Sequence, residues 1–154
     1  MKNVEIGKYI DVNGINTNYH DLGKGKPVLF LHGSGPGVSA WVNWRFNIVE
    51  LSKTNRVIAP DIVGFGFTKR PKDNKYSLNI WINHVISFLN AINIKKTSIV
   101  GNSFGGALAI ALAVKHPQRV NKLILMGSAG LKFKLTDGLD KVWEYTPSVI
   151  NMRR

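Results

Sequence analysis

The sequence predicts an α/β fold in which a mostly parallel sheet is covered by helices on both faces. Continuous apolar runs typical of buried strands alternate along the chain with longer runs of helical spacing. An antiparallel hairpin pattern precedes this alternation, and glycine-rich loops follow several of the predicted strands. A chain of 154 residues with 44% hydrophobic and 19% charged residues has the size and composition of one globular domain.

The amino-terminal part predicts a β-hairpin followed by a buried strand. Val4 to Val12 and Ile15 to Leu22 are rich in β-branched and aromatic residues, and Asn13-Gly14 between them favours a two-residue hairpin turn. Pro27 to Leu31 (PVLFL) is apolar at consecutive positions, as expected for a strand buried on both faces. This predicted strand ends at the loop HGSGPG, residues 32–37.

The remaining elements alternate between helix and strand. In order, they are a helix over Trp41–Leu51, a strand over Arg56–Ala59, a loop over Asp61–Pro71, a helix over Tyr76–Ile92, a strand over Thr97–Val100, a helix over Ala107–Val114 and a strand over Val120–Met126. From Leu131 the pattern changes to short amphipathic pieces. We therefore assign residues 1–130 to the amino-terminal part of the core and residues 131–154 to the start of an inserted lid.

The loops that follow the parallel strands are expected to form one site. In such sheets, ligands bind beyond the carboxyl ends of the strands. Four loops reach that edge in this prediction: residues 32–37, 61–66, 101–105 and 127–130. Residues of unrelated parts of the chain are therefore expected to converge there.

The motif GNSFGG, residues 101–106, lies between a predicted strand and an apolar helix pattern. GNSFG fits the GxSxG nucleophile elbow, in which a serine occupies a strained turn at a helix N-terminus, so Ser103 is the candidate nucleophile. Glycine fits at Gly101 and Gly105 because side chains there would collide with the neighbouring strand and helix. The alternative is a glycine-rich helix cap, and the flanking strand and helix favour the elbow.

The HGSGPG loop is the expected place for a backbone donor to an oxyanion. We expect a two-donor oxyanion hole, formed by the N–H of Ser34 and the N–H of Phe104, the residue after the nucleophile. A phosphate-binding glycine loop is the alternative, but neither GxGxxG opening a helix nor GxxxxGK[ST] occurs. His32 is expected to shape this loop through hydrogen bonds rather than to act as a base, and Asp61 to brace the GFGF loop.

The sequence contains no base for Ser103 in the chain order that this architecture uses, which is Ser, then Asp or Glu, then His. The histidine that follows Ser103 is His116, which precedes every later acid and lies about 20 Å away along a helix. His20 and His84 fall in the hairpin and in a covering helix. The Asp and His of the triad are absent from this chain, which is expected to be a fragment or not a catalyst.

The amino-acid composition excludes or disfavours several classes of site and of binding partner. The chain has 0 cysteines, which excludes disulfides, zinc–thiolate sites and thiol nucleophiles. No apolar signal core is present at the N-terminus, and the longest apolar run is shorter than the about 18 residues of a membrane span, so we expect a cytoplasmic protein. The net charge of +12 is spread in ones and twos, which disfavours nucleic acid and membrane and favours an anionic small molecule.

Five segments carry a closer resemblance. They are HGSGPGVSAWVNWR (residues 32–45), APDIVGFGFTKRP (59–71), VGNSFGGALAIALAVKHPQRV (100–120), LILMGSAG (123–130) and TDGLDKVWEYTPS (136–148). Together they resemble the meta-cleavage product hydrolases of the α/β-hydrolase fold, nearest to the 2-hydroxymuconic semialdehyde hydrolases. GNSFGG alone marks only the superfamily, whereas HGSGPG with the following tryptophans and Asn43 narrows the resemblance to this family.

The resemblance implies hydrolysis of a carbon–carbon bond in a 2-hydroxy-6-oxohexa-2,4-dienoate-type ring-fission product of aromatic degradation. It implies Ser103 as nucleophile, Ser34 and Phe104 as oxyanion donors, and Asn43 and Asn102 as substrate-binding residues. No cofactor or metal is implied, and the full-length enzyme is compatible with a homo-oligomer. Because the family carries its Asp and His in a later part of the chain, this chain alone is expected to be inactive. A carboxylesterase on the same scaffold and a catalytically dead interaction module stay open.

Overall fold

The structure is a computed structural model that describes residues 3–73 and 75–131. Its strands are β1 (Lys8–Val12), β2 (Ile15–Leu22), β3 (Pro27–Leu31), β4 (Arg56–Pro60), β5 (Thr97–Asn102) and β6 (Val120–Met126). Its α-helices are α1 (Ala40–Leu51), α2 (Leu78–Ala91) and α3 (Phe104–Lys115), and a 3-10 helix (Pro117–Arg119) precedes β6. No helix in the described ranges is long and apolar enough to cross a membrane.

The strands form a mixed sheet in the order β1-β2-β4-β3-β5-β6. The pairs β1–β2 and β2–β4 are antiparallel, and β4, β3, β5 and β6 run parallel. Asn13 and Gly14 join β1 to β2 with φ angles of 54° and 84°, the left-handed values that a type I′ hairpin turn requires. The predicted α/β class with a mostly parallel sheet is confirmed, and so is the hairpin.

The first strand is shorter than predicted. The sequence pattern extends it over Val4–Val12, but β1 begins at Lys8. Residues 3–6 form a turn instead, in which the Ile6 N–H donates to the Asn3 carbonyl over 3.2 Å. The β-branched residues of this segment match a strand, but the turn leaves them without a ladder partner.

The second helix begins two residues later than its apolar pattern. The prediction covered Tyr76–Ile92, whereas the helix begins at Leu78, because Ser77 is its N-cap and accepts from the Ile80 N–H over 3.3 Å. It ends before Asn93, whose φ of 58° cannot continue a right-handed helix.

Two hydrophobic clusters cover the two faces of the sheet. Leu29 and Leu31 point to the cluster formed with α2 and α3, and Val28 and Phe30 point to the cluster formed with α1. The run PVLFL is therefore buried on both faces, as predicted. Full burial of each such side chain contributes about 1.5 to 3 kcal/mol, so the central strands anchor the loops that follow them.

β6 lies at one edge of the sheet. In the described part of the chain it pairs with β5 alone, and its apolar side chains Leu123, Ile124 and Met126 are 36%, 52% and 46% exposed. The predicted lid beyond Leu131 lies outside the described residues. The domain division at residue 130 therefore stays a prediction.

Candidate active site

Ser103 occupies a strained turn between β5 and α3. Its φ and ψ are 50° and −113°, a combination that costs a residue other than glycine about 1 to 3 kcal/mol. Four backbone hydrogen bonds hold this conformation. The Ser103 N–H donates to the Met126 carbonyl over 2.9 Å, and the Ser103 carbonyl accepts from the N–H groups of Gly106, Ala107 and Ala129 over 3.0 to 3.2 Å. The predicted elbow geometry is therefore present.

The glycines of the motif permit a close approach of α3 to the strands. A Cβ atom on Gly101 would lie 2.5 Å from the Gly105 carbonyl oxygen, and one on Gly105 would collide with the carbonyls of Leu31 and His32. Backbone atoms cannot move aside for a side chain, so both positions require glycine, as predicted. The N-terminus of α3 is consequently seated on the end of β3.

The four predicted loops converge on this edge of the sheet. The Cβ position of Gly33, in the HGSGPG loop, is 3.4 Å from Ser103 Cβ. Ala129, in the loop after β6, donates to the Ser103 carbonyl, and Ile62, in the loop after β4, donates its N–H to His32 Nε2 over 2.9 Å. Direct contacts thus link the loops after β3, β4, β5 and β6.

Two backbone donors beside Ser103 have no partner among the described residues. They are the N–H of Ser34, in the exposed part of the HGSGPG loop, and the N–H of Phe104, the first residue of α3. A helix N-terminus carries a partial positive charge, which favours a negative group at the Phe104 N–H. The role of these two N–H groups as oxyanion donors stays a prediction.

Asn43 and Asn102 meet next to this point. Asn43, on α1, accepts from the Gly33 N–H over 2.8 Å and from Asn102 Nδ2 over 3.1 Å, both through Oδ1. Both side chains are half-buried. The family resemblance implied that both residues line the site, but nothing in the sequence indicated the bond between them, which joins positions 59 residues apart.

Both ring nitrogens of His32 form hydrogen bonds with backbone groups of the surrounding loops. It is buried, its Nδ1–H donates to the Gly33 carbonyl over 2.7 Å, and its Nε2 accepts from the Ile62 N–H. Burial lowers the pKa of His32, so the ring is neutral with its proton on Nδ1. Both ring nitrogens are occupied, which confirms the predicted structural role and leaves no lone pair for the Ser103 proton.

Asp61 is a buried hub of hydrogen bonds. Its Oδ2 accepts from the Phe67 N–H and from Asn18 Nδ2, each over 2.8 Å, and its Oδ1 accepts from the Ala40 N–H over 2.6 Å. The predicted bracing of the GFGF loop is confirmed. The bond to Ala40 was not predicted: it places the carboxylate at the N-terminus of α1, where the Val42 N–H is already bound by Ser39 Oγ. These donors are therefore not free for a phosphate.

The other histidines lie away from Ser103. His20 Nε2 contacts the Glu5 carbonyl oxygen, His84 Nε2 contacts Thr17 Oγ1 over 3.0 Å, and His116 follows the far end of α3. Burial lowers the pKa of His20, and that of His84 to about 4. Within residues 3–73 and 75–131, no imidazole is placed to take a proton from Ser103, and no group of three His, Asp or Glu side chains is placed to hold a metal ion.

Two cavities flank the loops at this edge. One of about 470 Å³ lies between the HGSGPG and GFGF loops, with Glu5 and Arg70 in its wall. A second, apolar one of about 190 Å³ is lined by Phe65 and Trp81. Both rings pack against Phe104, with centroid distances of 5.9 Å and 4.8 Å. The aromatic contacts, formed between three separate elements, were not predicted from the sequence.

Comparison with known proteins identifies similar chains. The profile of the alpha/beta hydrolase fold family matches residues 26–152. The chain is 54% identical over 150 residues to the 2-hydroxymuconate semialdehyde hydrolase of Pseudomonas sp. strain CF600, and 55% identical over 152 residues to the 2-hydroxy-6-oxo-2,4-heptadienoate hydrolase of Pseudomonas putida F1. The solved meta-cleavage product hydrolase of Pseudomonas fluorescens IP01 superposes with a TM-score of 0.84 at 57% identity. The predicted resemblance is confirmed.

These similarities cover the chain almost completely and the relatives only in part. They span 97%, 99% and 98% of this chain, but 53%, 55% and 56% of the two relatives and of the solved structure. The chain therefore spans about half the length of the proteins it matches.

Proposed function

Because the chain belongs to the alpha/beta hydrolase fold family, we propose that it is the amino-terminal half of a serine hydrolase with Ser103 as nucleophile. One observation carries the proposal: Ser103 lies in a strained turn, and the segments that meet there carry two N–H groups, of Ser34 and Phe104, that have no partner in the described part of the chain. A strained residue held by its surroundings at a convergence of loops is typical of a reacting group. The two N–H groups would stabilise the oxyanion that forms when a carbonyl is attacked.

The substrate class follows from the similar proteins. The relatives are named as hydrolases of 2-hydroxymuconate semialdehyde and of 2-hydroxy-6-oxo-2,4-heptadienoate. We infer a 2-hydroxy-6-oxohexa-2,4-dienoate-type substrate for this protein, with Asn43 and Asn102 as its polar contacts. The net charge of +12 would favour capture of such an anion.

The reaction consumes one water and breaks the C5–C6 bond. The dienol first becomes a ketone when the proton of the 2-hydroxyl moves to C5. Water, or Ser103 followed by water, then attacks the C6 carbonyl, whose oxyanion is held by the N–H groups of Ser34 and Phe104. The electron pair of the C5–C6 bond passes through the conjugated system to the C2 oxygen. Protonation gives 2-hydroxypenta-2,4-dienoate, and C6 leaves as a carboxylic acid.

The proposed enzyme needs parts beyond this chain. A base must take the Ser103 proton, and none of the described histidines is placed to do so. We propose that the Asp and His of the triad belong to the half of the hydrolase that this chain does not span. No cofactor or metal enters the proposal. We propose the cytoplasm as the site of action, and the complete enzyme is compatible with a homo-oligomer.

The test uses the protein encoded by the full reading frame or, where that frame ends at Arg154, this chain joined to the carboxyl-terminal half of the strain CF600 relative. We call this protein the completed chain. Loss of the visible absorbance of the dienoate measures its activity. Ser103→Ala is expected to lower kcat by about a thousandfold or more, because the nucleophile is removed.

Ser52→Ala is the matched control, since Ser52 is the C-cap of α1, at the end of the helix that is remote from Asn43, and its hydroxyl donates to the Val49 carbonyl. It is expected to keep the full rate. Hydrolysis of an aryl ester without hydrolysis of the dienoate would support a carboxylesterase instead. An unchanged rate in Ser103→Ala would overturn the assignment of the nucleophile.

A further inference from the structure

The amide oxygen of Asn43 connects the two segments that carry the proposed oxyanion donors. One of its bonds comes from the N–H of Gly33, directly before Ser34, and the other from the side chain of Asn102, directly before Ser103. The Gly33 N–H can only donate, so the side facing it must be the oxygen of the Asn43 amide and not its NH₂ group. The same oxygen then requires the NH₂ group of Asn102 on its other side. One backbone N–H thereby fixes the orientation of both amides.

Asn43 is itself held firmly. Its backbone N–H donates to the Ser39 carbonyl over 3.1 Å within the first turn of α1. That turn is anchored by the bond from the Ala40 N–H to the buried Asp61 carboxylate. The amide therefore extends from a fixed helix end toward two loops that follow the paired strands β3 and β5.

We propose that Asn43 is a positioning residue that sets the separation and direction of the Ser34 and Phe104 N–H groups. This inference rests on the proposed oxyanion hole and extends it beyond a substrate-contact role for Asn43. The bond to Gly33 orients the loop in which the Ser34 N–H lies, and the bond from Asn102 ties that loop to the turn that carries Phe104. Without the shared acceptor, the Gly33 N–H loses its partner, and the loop that carries the Ser34 N–H loses its side-chain link to the Ser103 turn.

The experiment separates positioning from substrate contact by using two substrates of the completed chain. The dienoate has carboxylate and hydroxyl groups that Asn43 could contact. 4-Nitrophenyl acetate lacks these groups but also forms an oxyanion when its carbonyl is attacked. A residue that sets the oxyanion hole affects both substrates, and a residue that contacts the dienoate affects one. Asn47→Ala is the matched control, since Asn47 lies one turn further along α1 and is exposed.

A second readout does not depend on turnover. Hydrogen exchange of the Gly33 amide, followed by NMR with isotope-labelled glycine, reports the bond to Asn43 directly. Asn43→Asp keeps the shape of the side chain and the acceptor oxygen that faces Gly33, and it is expected to preserve the protection of this amide. Asn43→Ala is expected to speed its exchange at least about tenfold, because it removes the one hydrogen bond that this amide makes among the described residues.

Asn43→Ala is expected to lower kcat for both substrates by about tenfold to a hundredfold, below the about 10²- to 10³-fold loss of a whole oxyanion donor. The Asn47→Ala control is expected to match the unsubstituted protein. A raised KM for the dienoate, with kcat for the ester unchanged within twofold, would overturn the positioning role, and so would unchanged exchange of Gly33. If the unsubstituted protein hydrolyses neither substrate, the proposed function fails and the Gly33 exchange alone decides this inference.

Discussion

Asp61→Asn tests whether the hub beside the site contributes to stability through its charge and its two oxygens. The carboxylate accepts three hydrogen bonds, two at Oδ2 and one at Oδ1, and the residue is fully buried. An asparagine of the same shape has one oxygen. In its better orientation this oxygen keeps the bonds from Phe67 and Asn18, and its NH₂ group then faces the Ala40 N–H.

The cost follows from that mismatch. One charge-assisted hydrogen bond is lost and one buried N–H is left unpaired, which together cost about 2 to 5 kcal/mol of the free energy of unfolding. A domain has in total only about 5 to 15 kcal/mol, so the loss is a large fraction. The reversed orientation is worse, because it removes two bonds instead of one.

Urea unfolding of the completed chain, followed by tryptophan fluorescence, measures this loss as a change in midpoint at constant slope. Asp73→Asn is the control, because Asp73 is exposed and accepts one bond of 3.2 Å from the Lys75 N–H. It is expected to change stability by less than about 0.5 kcal/mol. If Asp61→Asn matched this control, the account of Asp61 as the anchor of α1 and the GFGF loop would be refuted.

Two further predictions concern pH and solubility. Burial lowers the pKa of His84 from 6.5 to about 4 in the folded protein, so between these pH values the unfolded chain binds one more proton than the folded chain. The free energy of unfolding should therefore fall by up to about 3 kcal/mol as the pH is lowered from 6.5 to 4. Urea titrations at several pH values measure how the free energy of unfolding depends on pH. His84→Gln should lower this dependence by up to one proton, and an unchanged dependence would contradict the role of His84. Residues 1–154 expressed alone should be inactive and should aggregate through the edge of β6, which pairs with β5 alone within the described ranges. Ile124→Lys should therefore lower light scattering at equal concentration. Val114→Lys, on the exposed side of α3, is the control, and an equal effect of both substitutions would argue against the edge.

The sequence by itself determined the features that depend on neighbouring residues. The Asn13-Gly14 turn needs two positive φ angles, which these residues adopt at low cost. The elbow needs glycine two positions either side of Ser103, because backbone atoms of the adjoining helix and strand occupy that space. The α/β class followed from alternating apolar patterns, and the family resemblance from motifs at fixed spacing. These features depend on residues that are close together in the chain, so they can be predicted from the sequence alone.

The tertiary structure decided which distant residues meet. The strand order, with β4 between β2 and β3, is set by how the helices cover the sheet and has no local signal. The bond between Asn43 and Asn102, the attachment of Asp61 to α1 and the pairing of His84 with Thr17 join positions 59, 21 and 67 residues apart. Each of these side chains can bond with many partners, and only the packing of the elements selects one. The sequence therefore showed where the serine of the elbow lies, while the folded sheet determined what holds it in position.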